Sequence, residues 1–213
     1  MTYLEAVNRV LRRLRENEVT TVNETPYSKL IGDLVNVVKV EIEDAWDWSV
    51  LRTTLTATTT DSLFNYVLVG SGTRFRVLDV VNDTDDFFME PKSSHWFDQQ
   101  FLMSTVQHDS PLYYNFNGVN SNGDTQIDLF PIPDGVYNIR INVVLPQAEL
   151  TADSTQIQIP ANLLVEGAVA RAISERGEDG GSAEQEQRYR SLAADMIAIE
   201  SAHRMDEITW SAC

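Results

Sequence analysis

The sequence predicts an α+β protein: a discontinuous helical bundle formed by both chain ends, with an antiparallel β domain inserted between them. Two observations carry this. Apolar residues recur at three- and four-residue steps near both ends, the period of a helix with one buried face. Across the middle they alternate with polar residues, the period of a half-buried strand, and turn residues such as Gly70-Ser71-Gly72, Asn122-Gly123 and Pro133-Asp134-Gly135 separate the runs. Residues 1–49 and 160–213 are therefore assigned to a helical domain and residues 50–159 to a β domain.

The first helix starts at a capping-box pair, Thr2 and Glu5, and carries Leu4, Val7, Leu11 and Leu14 as its apolar stripe. Arg9, Arg12, Arg13 and Arg15 lie off that stripe. They suit either a solvated face or a contact with an acidic neighbour, with Arg9, Arg12 and Arg13 the candidate contact residues. In the second helix Thr25 serves as cap and Pro26 takes the first turn, where a missing N–H costs nothing. Its apolar face is Tyr27, Leu30, Ile31, Leu34, Val38, Ile42 and Ala45.

The period changes at "AWDWSVLRTTLTATTT", where Leu51, Thr53, Leu55 and Ala57 alternate with Arg52, Thr54 and Thr56. Further strands are expected over 64–69, 74–82, 112–117, 125–130 and 136–145, with a short helix in "KSSHWFDQQFLMS". The stretch "IDLFPIPDGVYNIRINVVLP", residues 127–146, reads as strand, proline-framed turn, strand: a long hairpin. Helix returns at Pro160, again in first-turn position, with Leu163, Leu164, Ala168, Ala172 and Ile173 facing a partner and Gly177 as C-cap. Ser182 and Gln185 open a last helix with Tyr189, Leu192, Met196 and Ile199 as its stripe. Neither terminal pair can bury two stripes alone, so the two pairs are expected to pack together.

Composition narrows the function. The 213 residues include 32 acidic and 16 basic ones, a formal net charge of −16. A protein that grips nucleic acid through its phosphates needs the opposite sign. The acidity suits a solubilising surface or a wall past which a polyanion slides without sticking. The single cysteine, Cys213, excludes a disulfide within the chain. No apolar run approaches the roughly 20 residues that span a bilayer, and the N-terminus lacks the apolar core of a signal peptide. The sequons at Asn23 and Asn82 are read as chance.

No catalytic pattern emerges. His95, His108 and His203 lack ligand or triad spacing, and Cys213 has no base partner in sequence. "GSGTR" (70–74) joins two strands instead of opening a helix and lacks the lysine ending of a phosphate loop. "NSNGD" (120–124) has its glycine in the fourth place, where a calcium loop needs it in the sixth. "DTDD" (83–86) reads as a solvated acidic loop. The expectation is no enzyme, no cofactor and no metal. Partner binding remains, and Trp210 is the kind of aromatic that anchors interfaces.

Two blocks resemble a known family. "YLEAVNRVLRRLRENEVTTV" with "LVNVVKVEIEDAWDWSV" is similar to the start of tail tubular protein A and related head-to-tail adaptors of tailed phages. "DLFPIPDGVYNIRINVVLP…IQIPANLLVEGAVARAISERGEDGG", continued by "AEQEQRYRSLAADMIA", resembles the same group. Residues 58–124 carry no quotable match. The resemblance implies a structural virion protein: a dodecameric ring joining the portal protein to the tail tube or nozzle, through which DNA passes without specific binding, with no membrane involved. It places the helical domain toward the portal, with Ile208, Thr209 and Trp210 as portal contacts. The β domain would face the tail, presenting Ile132, Pro133, Asp134 and Gly135. A different connector ring (stopper, head-completion protein or tail terminator) is an alternative. So is a receptor- or glycan-binding module using Trp96, Tyr113 and Tyr114.

Overall fold

The computed structural model describes residues 1–177 and 181–202. Among these the chain order is α1 (Tyr3–Arg13), α2 (Pro26–Ala45), β1 (Arg52–Thr58), β2 (Asn65–Val67), β3 (Arg76–Asn82), β4 (Phe87–Phe88), β5 (Glu90–Pro91), α3 (Ser94–Phe101), β6 (Tyr113–Val119), β7 (Thr125–Phe130), β8 (Asn138–Val144), α4 (Ala161–Arg176) and α5 (Ser182–Ala202). The fold is mixed α/β. Two compact units divide it: residues 1–51 with 147–213, and residues 52–146.

In the first unit the caps form as the sequence dictates. Thr2 and Glu5 exchange side-chain and backbone bonds at the start of α1, and Thr25 does the same with Ser28 at α2. The buried face of α1 is Tyr3, Ala6, Val7, Val10 and Leu11, whereas the expected Leu4 and Leu14 are only half-buried. The face is broader than the expected stripe because α1 packs against both α2 and α4. Along α2, Ile31, Val35, Val38 and Ile42 are buried, and Ala45 is exposed. Beyond the helix Trp48 fills the space and its indole Nε1 donates to the Ile42 carbonyl at 2.7 Å.

An ion pair lies inside this core. Lys39 and Glu43, both fully buried, meet at 2.9 Å one helical turn apart. Lys39 Nζ also donates to the Gln147 carbonyl at 2.5 Å, and the Gln147 N–H donates to Glu43 at 3.2 Å. The segment after β8 is thereby tied to α2, and Leu150 N–H adds a bond to Asn36 Oδ1 at 3.0 Å. Burying two charges is costly unless each is paired and its remaining bonds are filled, which this arrangement does.

Helix α4 has buried side chains around most of its circumference, from Leu163 to Ala172, since α1, α2 and α5 all contact it. Gly177 ends it in the left-handed region, φ 68°, as its position predicts. Helix α5 differs: none of its residues is fully buried, and Ile199, expected on its packed stripe, is 55% exposed.

The second unit is a sandwich of two four-stranded sheets, ordered β1-β8-β3-β4 and β2-β7-β6-β5. All pairings are antiparallel except β5 with β6. The core draws on both sheets: Ala57, Val80, Ile139, Ile141 and Val143 from one, Tyr66, Tyr114, Ile127 and Leu129 from the other. Every second residue of β8 points inward, matching the period read from the sequence.

One expectation is overturned here. Residues 127–146 are not a hairpin, because β7 pairs with β2 and β6 whereas β8 pairs with β1 and β3. The intervening prolines explain it. Pro131 and Pro133 are buried and cannot donate to a ladder, so the strand leaves one sheet and resumes in the other.

Candidate interaction surfaces

The expected contact arginines come together on the helical unit. Arg9, Arg12 and Arg13 project from α1, and with Asn162, Val165 and Glu166 of α4 they line a cleft of about 330 Å³. Glu166 forms its floor. Arg13 grips that carboxylate with both terminal guanidinium nitrogens, Nη1 and Nη2, at 2.8 and 3.1 Å. Gln185 Nε2 of α5 donates to it at 2.6 Å, and Arg188 stands 3.4 Å away. Burial pushes the Glu166 carboxyl up, but the bonds from Arg13 and Gln185 and the two arginine charges hold it below its ordinary value. The same bond raises Arg13 further above the usual guanidinium range.

Arg12 makes an exposed pair with Glu18 at 3.3 Å. Arg9 is exposed and has no acidic partner among the described residues. One sequence feature foretold part of this cleft, the arginines off the apolar stripe of α1; Glu166 was not singled out, because one acid on α4 reads as a solvated residue until its neighbours are placed. Gln185 and Arg188 carried no such signal, since only the packing of α5 on α4 brings them to Glu166.

The turn 132–135 is bound into the sandwich rather than projecting freely. Ile132 exchanges backbone bonds with Gln107 and Asp109, both at 3.0 Å, and the Ser62 N–H donates to the Pro133 carbonyl at 2.8 Å. Thr59 Oγ1 donates to the Gly135 carbonyl at 2.8 Å. Tyr137 donates its hydroxyl to Asp134 at 2.6 Å, a bond that raises the phenol to about 12. Asp134 and, just beyond the turn, Val136 are the exposed side chains of this corner. Ile208, Thr209 and Trp210, like Cys213 and His203, lie outside the described residues.

The aromatic residues considered for sugar stacking are engaged with one another. Tyr114 is buried, and Trp96 meets Tyr113 and Phe130 edge-to-face at 4.9 and 5.3 Å. In "NSNGD", Asp124 accepts from the Gly70 N–H at 2.9 Å, which joins that turn to "GSGTR". Asp83 of "DTDD" pairs with Arg140 at 3.1 Å. Among the described residues no three His, Cys, Asp or Glu side chains gather in a way that could hold a metal. No described helix is long and apolar enough to cross a membrane.

No curated protein matches this sequence. A family model does, and it spans both units: the one described as SU10 adaptor protein matches residues 1–211. With the match running over nearly its whole length, the chain belongs to the SU10 adaptor family, a family of structural phage head-tail adaptors.

Proposed function

We propose that this chain forms a ring, with twelve copies as the expected number, that joins the portal to the tail tube or nozzle and leaves a conduit for DNA. The helices of both chain ends act as one bundle that builds the ring and faces the portal, with Ile208, Thr209 and Trp210 as contacts. The inserted β domain faces the tail, with the corner Ile132–Gly135 toward the next component. The observation that carries this is the family match over nearly the whole chain. The charge of −16 supports it, because a passage for DNA works best when its wall does not bind phosphate.

The test is the mass of the purified chain, alone and with the portal protein of its virion. A discrete species at an integral multiple of 24.0 kDa, formed alone or on the portal, is expected. A chain that stays monomeric under both conditions overturns the ring.

A further inference from the structure

The helical unit carries two unlike surfaces that complement each other. The first is the arginine cleft between α1 and α4. Its local balance is positive: Arg9, Arg12, Arg13 and Arg188 surround Glu166, and Glu18 offsets only Arg12. In a chain with twice as many acids as bases this is an unusual grouping. Arg13 and Arg188 are committed to Glu166, which leaves Arg9, and the terminal nitrogens of the exposed Arg12 whose Nε pairs with Glu18, to meet an outside anion. Val165 gives the cleft an apolar wall.

The second surface is the outward stripe of α2. Asp33, Val37 and Val40 follow one another at four- and three-residue spacing, so they share one side of the helix. Asp33 is exposed, Val37 is 50% exposed and Val40 36%. Bare valines on a helix whose other side is well packed form a surface that water solvates poorly. An acid beside two apolar side chains is the counterpart of arginines beside Val165.

Their placement determines what such a contact builds. Helices α1, α2 and α4 each contact the other two. A groove on the α1–α4 side therefore opens away from α2, while the stripe lies on the outer side of α2. The two surfaces lie on different sides of the three packed helices, since the stripe is on the face of α2 away from its buried residues. One copy cannot satisfy itself, and a two-fold pair would bring like surfaces together. Cleft to stripe, repeated from copy to copy, is a head-to-tail contact, the kind that closes into a ring.

We infer that the Arg9/Arg12 cleft of one copy receives the Asp33–Val37–Val40 stripe of α2 of the next copy, and that this contact propagates the ring. The inference rests on the ring reading above and names its interface. Three forms of the full chain test it: Arg9→Glu/Arg12→Glu, Asp33→Lys, and an equimolar mixture of the two. All three positions are exposed, and circular dichroism checks that the variants fold. Assembly is followed by sedimentation and native mass, alone and with the portal protein.

Each variant alone is expected to assemble at least about tenfold more weakly than the unchanged chain, as for opposed like charges at an interface. The mixture should assemble again, with the two variants strictly alternating, because every cleft then faces an opposite charge. If the unchanged chain forms rings and the arginine variant forms them equally well, the interface lies elsewhere and this inference fails while the ring stands. If no form assembles under either condition, the ring itself fails and the inference with it. If the unchanged chain binds duplex DNA and the arginine variant does not, the cleft serves phosphate and the inference is overturned.

Discussion

Glu166 shows how one side chain can organise several elements. It sits on α4, is bonded by Arg13 of α1 and by Gln185 of α5, and is largely buried. Its folded-state carboxyl is held below its ordinary 4.5, so it contributes stability that is fully present above pH 4.5. That contribution is lost as the pH falls through the depressed value. Urea unfolding measured against pH should therefore show the helical unit weakening on the acid side. Glu166→Gln should lose about 1–3 kcal/mol at neutral pH and depend less steeply on acid, because the charged partner is already gone. An unchanged acid limb in that variant would count against the carboxylate. Nothing in the sequence singled out Glu166 or its three partners, which come from two other helices, Arg13 from α1 and Gln185 and Arg188 from α5. Lys39 was likewise invisible. A lysine four residues before a glutamate reads as a surface pair, and only the returning Gln147 makes a buried one of it.

At the scale of elements, helix starts were the most legible feature. Thr2, Thr25 and Pro160 mark them through local bonds or fixed backbone angles, which need no tertiary partner. Faces were less legible, because α1 and α4 touch two or more neighbours and bury more than a single stripe. Helix approach depends on small residues. A Cβ added at Gly167 would stand 2.5 Å from Val38 Cγ1 and 2.8 Å from Tyr189 Cε2. Gly167→Ala should thus push α4 from α2 and α5, an overpacking cost of about 1–3 kcal/mol, against a gain of about 1 kcal/mol in helix propensity. A net fall in unfolding free energy is expected in denaturant titration, and a more stable variant would refute the close contact. In the sandwich, strand positions followed from period-two alternation, but pairing did not. Alternation fixes which side of β7 or β8 is buried, not which strand lies beside it. The two-residue strands β4 and β5 are too short to show a period at all.

For the whole molecule, charge was the most informative number in the sequence, since it speaks to partners without any knowledge of the fold. At about 0.15 M salt the chain is expected to leave duplex DNA unretained at micromolar concentrations, as read by electrophoretic mobility, because its net charge repels phosphate. Retention at that concentration would contradict a non-binding conduit. The candidate surfaces were legible only in part: the arginines were visible, but their acidic, valine-bearing counterpart on α2 was not, for a helix face left bare is recognised only once its neighbours are placed. The clamp between Lys39, Glu43 and Gln147 has a consequence of another kind. Arg52 and Val144 pair at the start of β1 and the end of β8, so the inserted unit begins and ends at adjacent points. On the helical side, Trp48 and Gln147 are both fastened to the C-terminal half of α2. A module whose two ends meet at a fastened seam can be exchanged for another of different size without rethreading its host. The helical core is thus insulated from changes in the length of the insert.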